Sequence, residues 1–196
     1  MIKSYDIHPA LRDAPREHTL CVTGHRPAKL PKGEKQQALI KTIQYYLDIA
    51  IEKGYTHFLN GLADGTDYLM AEYLFQIREK RPGIQIIGIQ PCEDYEVFFK
   101  KRNYDLKHLQ RMKEQVNALI CLPGSWRDED IFFTRNRMLV DHASAVIAVC
   151  SDRHSGAMQT LHYAKECGLA WCQIAANPEL LYTPPPEQWP VIRNGF

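Results

Sequence analysis

The 196-residue sequence predicts an α/β domain of three layers, with a mostly parallel central sheet of five to seven strands covered by helices on both faces. Three observations predict it. Short apolar runs that end at glycine or proline alternate with longer segments of helical periodicity. The runs are almost continuously apolar, as expected of strands buried on both faces. Each run is separated from the next by enough chain for a crossover helix, the connection that parallel strands require.

The elements follow in order. Residues 1–18 are polar, carry Pro9 and Pro15, and read as an extended lead-in. The first strand, 20–23, stops at Gly24. After the stretch from Pro27 to Gly33 comes a helix with Leu39, Ile43, Leu47 and Ala50 on one face, ended by Gly54. A second strand, 57–60, ends at Gly61. The next helix starts near Thr66, carries Met70, Leu74 and Ile77, and is broken by Arg81-Pro82-Gly83. A third strand over 84–89 is closed by Pro91, and one long charged helix is expected from Tyr95 to Gln115. Residues 118–122 form a fourth strand before Pro123-Gly124, with a helix over 131–142 behind it. Residues 145–150 form the fifth strand. A helix over 157–166, stopped by Gly168, leads to a sixth over 169–174. The domain therefore spans 19–176, and 177–196, with Pro184-Pro185-Pro186, is expected as a proline-rich tail. Right-handed crossovers between such strands give a Rossmann-like fold, in which ligands bind at the carboxyl ends of the strands where their order reverses.

Composition narrows the function classes. Apolar residues make up 45% and charged residues 24%, the proportions of an ordinary globular chain. Lys plus Arg number 24 against 23 Asp plus Glu, so there is no global positive field. Nucleic acid is on this ground not expected as a partner, and phosphate recognition has to be local. No apolar run approaches a membrane span and the N-terminus lacks a signal-peptide core, so the cytoplasm is the expected compartment and no membrane partner is expected. The six cysteines form no Cys-x-x-Cys pair. Cys21, Cys121, Cys150 and Cys172 fall in strand-like runs and are expected as buried thiols; no metal site and no cofactor are expected.

Three loops fall at strand ends: Thr23-Gly24-His25-Arg26-Pro27, the Gly61 to Asp67 segment, and Ser151 to Gly156. Glycines allow close backbone approach, and free amides at helix starts attract phosphate. Gly61, Gly65, Thr66 and Asp67 form the strongest candidate, although Thr66 read blandly is an N-cap and Asp67 a complement to the helix dipole. His25 and Arg26 suit an anionic or purine-bearing ligand; the bland alternative is a turn with Arg26 on a neighbouring carboxylate and His25 as a satisfied hydrogen-bonding residue. Arg135 and Asn136, near a helix start, can reach a phosphate and a base edge, or else pair with Asp128, Glu129 or Asp130. Asp141 is about 120° around the helix from Arg135, so a structural role suits it as well. Lys100, Lys101, Arg102, Lys107, His108, Arg111 and Lys113 make the long helix basic, but Glu93, Asp94 and Glu96 at its start argue for a solvated face. Tyr95, Phe98 and Phe99 follow the third strand end and can stack on a base, although Phe98 and Phe99 read first as core or interface residues; Cys92 reads as an ordinary thiol.

Taken together, Val22-Thr23-Gly24-His25-Arg26-Pro27, Gly54-Tyr55-Thr56-His57-Phe58 with Gly61 and Gly65-Thr66-Asp67, Pro91-Cys92-Glu93 and Arg135-Asn136-Arg137-Met138-Leu139-Val140-Asp141 resemble the SLOG superfamily, in its bacterial and phage YpsA-like branch. The superfamily also holds the Lonely Guy enzymes and the Smf DNA-processing proteins. The resemblance covers about 19–175 and implies a Rossmann-like domain that recognises nucleotides or nucleotide-derived signals. It implies ligand contacts from Thr23, Gly24, His25, Arg26, Gly61, Gly65, Thr66, Asp67, Pro91, Arg135 and Asn136. Related sequences commonly show Gly-Gly-Thr before the last helix, where this chain has Ser155-Gly156-Ala157; Ser155 can stand in for the missing hydroxyl. The Lonely Guy signature Pro-Gly-Gly-x-Gly-Thr-x-x-Glu is absent, so phosphoribohydrolase activity does not follow from membership.

The leading expectation is thus a protein that binds a nucleotide-like small molecule as a sensor or regulator. The alternatives are a nucleotide N-glycosidase, with Glu93 or Asp67 as its carboxylate, and an accessory protein that binds single-stranded DNA. Relatives often pair, which makes a homodimer the assembly the resemblance suggests.

Overall fold

The first strand, β1 (Thr19–Gly24), is buried almost throughout because it lies at the centre of the sheet, flanked on both sides by parallel partners. A computed structural model describes residues 8–176 of the chain. Its six strands are β1, β2 (His57–Asn60), β3 (Gln85–Gln90), β4 (Ala118–Cys121), β5 (Ala145–Val149) and β6 (Ala170–Ile174). All neighbours pair in parallel, in the order β4-β3-β2-β1-β5-β6. The chain walks from β1 to β4 in one direction, then crosses back to β5 beside β1. The reversal therefore lies between β1 and β5, where doubly wound folds place their ligand crevice.

Alternation along the strands builds two cores. Leu20, Val22, Phe58, Ile86, Ile147 and Val149 point into one, and Cys21, Leu59, Ile87, Val146 and Ala148 into the other. The first is covered by α2 (Glu34–Glu52), α3 (Thr66–Lys80), α4 (Tyr95–Lys101) and α5 (Leu106–Gln115). The second is covered by α6 (Ile131–Asp141) and α7 (Gly156–Glu166). On α2 the stripe of Leu39, Ile43, Leu47 and Ala50 is buried as the periodicity predicts, with Tyr46 beside it. The first turn of α6 leans the other way: Ile131 and Phe132 pack into the first core. That tilt carries the start of α6 across the carboxyl edge of the sheet.

Three expectations are corrected. Residues 8–18 are not extended: α1 (Pro9–Arg12) is one helical turn and Arg16–His18 a turn of 3-10 helix. Leu11 is the cause, since it buries in the second core, which contributes about 1.5–3 kcal/mol. The long charged helix is two helices, α4 and α5, parted where Asn103 adopts φ 52° and Asp105 caps α5 by accepting from the Lys107 amide. Cys121 is exposed, because β4 is an edge strand whose outward residues, Leu119 and Cys121, lack a covering helix among the described residues; Cys21, Cys150 and Cys172 are buried. Among the described residues no helix is long and apolar enough to cross a membrane. The expected tail at 177–196 lies outside the described residues.

Candidate functional site

At the carboxyl edge, His25 closes the reversal point between β1 and β5. Its amide donates to the Val149 carbonyl at 3.0 Å. Its Nε2 accepts from the amides of Ser151 and Asp152 at 2.9 and 3.2 Å. A nitrogen that accepts from two N–H groups carries no proton, so the ring is neutral with its proton on Nδ1. Burial pushes the His25 pKa down, and Lys29 adds to the effect. An ion pair between Lys29 and Asp152 spans the same gap and holds the Asp152 carboxyl below its usual range. Ser155 caps α7: its Oγ accepts from the Met158 amide at 3.2 Å and donates to the Asp152 carbonyl at 2.8 Å.

The loop after β2 is organised by its own side chains. Asn60 accepts from the Leu62 amide at 2.7 Å and donates to the Asp67 carbonyl at 2.8 Å, which holds Leu62 at φ 56°. The Leu62 side chain then lies over β3 at Gly88, where a Cβ would come within 2.9 Å of it. Gly65 adopts φ 94°, and a Cβ there would stand 2.6 Å from the His25 carbonyl oxygen. Thr66 donates to that same carbonyl through both its amide, 3.1 Å, and its hydroxyl, 3.0 Å. A Cβ on Gly24 would in turn meet Thr66 at 2.5 Å. The first two loops are thus locked together, but the Gly65 and Thr66 amides are already engaged within the protein. Asp64 ties this loop to α5, accepting from the Asp105 amide at 3.0 Å and bonding His108 Nδ1 at 2.8 Å, with the His108 ring stacked on Tyr68.

Charge gathers one strand away from the reversal point. Arg135, from the tilted start of α6, is buried; its Nη1 donates to the Gly61 carbonyl and its Nε to Asn136 Oδ1 at 2.8 Å. Gly61 is required there, because a Cβ would fall 2.1 Å from Arg135 Nη1. Arg26 lies over the Tyr104 ring, 5.4 Å from its centroid, and its buried Nη1 has no hydrogen-bond partner among the described residues. Oε1 of Gln90, at the end of β3, is likewise without a partner among the described residues, and the buried Tyr95 hydroxyl, at the start of α4, meets no hydrogen-bond geometry there although it is near enough to both guanidinia to act on them. The buried carboxylate of Asp67 lies within electrostatic reach of both guanidinia. Burial drives its pKa upward, against the pull of Arg135 and Arg26. Burial lowers that of Arg135. For Arg26 burial is outweighed by Tyr95 and Asp67, and its pKa is raised. Two cations facing one anion leave a local positive excess in a low-dielectric setting, which favours an anionic ligand.

The other candidates divide. Thr23 is buried in β1, and Pro91 is buried at the end of β3. Asn136 reaches towards Gly156, its Nδ2 standing 3.9 Å from the position of a Cβ there. Glu93 is exposed, and its amide donates to the Gly124 carbonyl. Arg135 makes no ion pair with Asp128, Glu129 or Asp130; Asp128 instead accepts from the Ser125 amide. Asp141 accepts from the Tyr163 hydroxyl, outside the cluster. The Cys92 thiol is buried and pushed up to about 12 by burial and Asp94. Sequence reasoning missed Gln90, Asp64, Tyr104 and His108; the helix break at Asn103 and Asp105 was the signal for the last two. Among the described residues no group of three or more His, Cys, Asp or Glu could hold a metal ion.

Fold and site define a doubly wound, Rossmann-like domain whose carboxyl edge carries a buried cationic cluster. A model of the YpsA family, described as "YspA SLOG family", matches residues 20–167, and the chain belongs to this family. Among solved structures, it is similar to DNA processing protein A (DprA) from Streptococcus pneumoniae at 18% identity and a TM-score of 0.52, covering 80% of this chain and 50% of that one. It is also similar to DprA from Helicobacter pylori, described for its single-stranded DNA binding mode, at 18% identity and a TM-score of 0.50, over 85% and 68% of the two chains. The chain thus spans half the length of the pneumococcal protein. No curated protein sequence matches. These relatives correct the expectation that excluded nucleic acid. The fold occurs in a protein that binds single-stranded DNA, and a net charge near zero rules out only a global field, not a local pair of guanidinia.

Proposed function

We propose that the chain binds single-stranded DNA through its phosphate backbone at the carboxyl edge of the sheet, with Arg26 and Arg135 as the anion-holding residues. The observation that carries this reading is the Arg26–Asp67–Arg135 cluster. It holds more positive than negative charge, and Arg26 Nη1 there meets no hydrogen-bond geometry among the described residues, with Tyr95 as the neighbour that acts on the guanidinium. A phosphate oxygen satisfies such a donor with a charge-assisted hydrogen bond. The similarity to the Helicobacter pylori protein supports the choice of ligand class. A free nucleotide is the second reading, favoured by the small size of the cluster, which suits one phosphate group. The N-glycosidase reading draws no support from the geometry: Asp67 is buried in the field of two guanidinia and Glu93 is exposed.

The test is fluorescence anisotropy with a labelled oligothymidylate of about 12 nucleotides, with thymidine monophosphate and ATP as competitors. Binding that Arg26→Ala weakens by about 1.5–3 kcal/mol is the expected outcome. Efficient displacement by mononucleotides moves the assignment to the free nucleotide. A parent protein that binds neither class overturns the reading.

A further inference from the structure

Beside the cationic cluster, α6 and α7 enclose a shallow groove lined by Phe133, Asn136, Arg137, Gln159, Thr160 and Tyr163. Phe133, Asn136 and Arg137 stand on one face of α6 by their i, i+3, i+4 spacing. Phe133 is 46% exposed, unusual for a ring this size in a packed helix pair. Arg137 lies over two rings, 5.6 Å from the Phe133 centroid and 4.7 Å from that of Tyr163, and bonds the Tyr163 hydroxyl at 3.3 Å. The result is a platform of aromatic and guanidinium faces open to solvent.

Two carboxamides border it. The side chain of Gln159 and Nδ2 of Asn136 make no hydrogen bond among the described residues, whereas Asn136 Oδ1 accepts from Arg135 Nε at 2.8 Å. One residue therefore belongs both to the groove and to the cationic cluster. Carboxamides present the donor and acceptor pattern that matches a base edge. Stacking faces beside a phosphate-holding cation are the combination by which proteins hold single strands.

We infer that the groove between α6 and α7 receives a nucleobase of the strand whose phosphate is held at Arg26 and Arg135. The base stacks on Phe133 and the Arg137–Tyr163 pair, and its edge meets Asn136 and Gln159. This rests on the proposed phosphate site and adds to it a base-binding subsite on the α6–α7 flank.

The experiment compares an oligothymidylate of about 12 nucleotides with an abasic strand of the same length and charge, for the parent, Phe133→Ala, Gln159→Ala and Arg26→Ala, each checked for folding by circular dichroism. The parent is expected to bind the base-bearing strand about tenfold more tightly than the abasic one. Phe133→Ala should bring that ratio close to unity, Gln159→Ala should reduce it, and Arg26→Ala should weaken both strands and keep the ratio. A parent that binds both strands equally, or a folded Phe133→Ala variant with the parent's ratio, overturns the base subsite and leaves the phosphate site standing. Failure of the parent to bind either strand overturns both.

Discussion

His25 illustrates how much of a site depends on one atom. The sequence offers it as a ligand contact, with a satisfied structural histidine as the bland alternative. The structure spends its Nε2 on two backbone amides, and burial pushes its pKa below 6.5. Because the folded value is depressed, the unfolded chain takes up the proton first on acidification. The stability that His25 contributes is complete above about 6.5 and falls away as the pH drops from there towards the folded value. His57 is shifted the same way by burial, so the informative quantity is a difference between proteins. Replacement His25→Gln keeps an acceptor near the two amides and cannot titrate. Thermal unfolding on either side of 6.5 should show the variant losing less stability to acid than the parent, and equal losses would remove the clasp from the account. Arg135 was legible as a residue near a helix start, but not its burial, which depends on the tilt of α6 over the edge.

Strands and helices were the most legible part of this chain, because continuous apolar runs and 3.6-residue stripes are local signals. The β1, β2 and β5 runs and the α2 stripe were predicted nearly to the residue. The exception is instructive. The stretch 95–115 carries charge throughout, and charge does not mark a helix end. The break is set by Asn103 in a left-handed conformation and by Asp105 as a cap, both turn-forming residues hidden in a charged segment. The break also lets Asp105 and His108 meet Asp64, so α5 is anchored to the loop after β2. Asp105→Ala should cost about 1 kcal/mol through the lost cap. Urea unfolding gives that figure, and hydrogen exchange should show faster amide exchange in the loop around Asp64; an unchanged midpoint would assign the cap no weight.

For the whole molecule, near-neutral net charge and a local cationic cluster predict a particular salt response. With one or two phosphates neutralised, the slope of log affinity against log salt should be shallow, roughly −0.7 per phosphate for a single strand. Arg26→Ala should reduce it by roughly 0.7. A steep slope unaffected by that change would place binding on a diffuse basic surface instead. The order β4-β3-β2-β1-β5-β6 could be anticipated only as a class from the sequence, since which strands adjoin is decided by non-local pairing. The clasp at the reversal point has a consequence for ligand shape. Doubly wound sheets commonly lay a long cofactor across both halves, one mononucleotide on each side of the crevice. Here the imidazole of His25 and the Lys29–Asp152 pair stitch the two halves at that place. A ligand straddling them would have to break the stitch, so the footprint is one-sided. At the carboxyl edge the proposed footprint is confined to the half whose strands lead to Gly61 and Gln90, and its natural direction of growth is over α6 towards the outer side of α7, not through the crevice between β1 and β5.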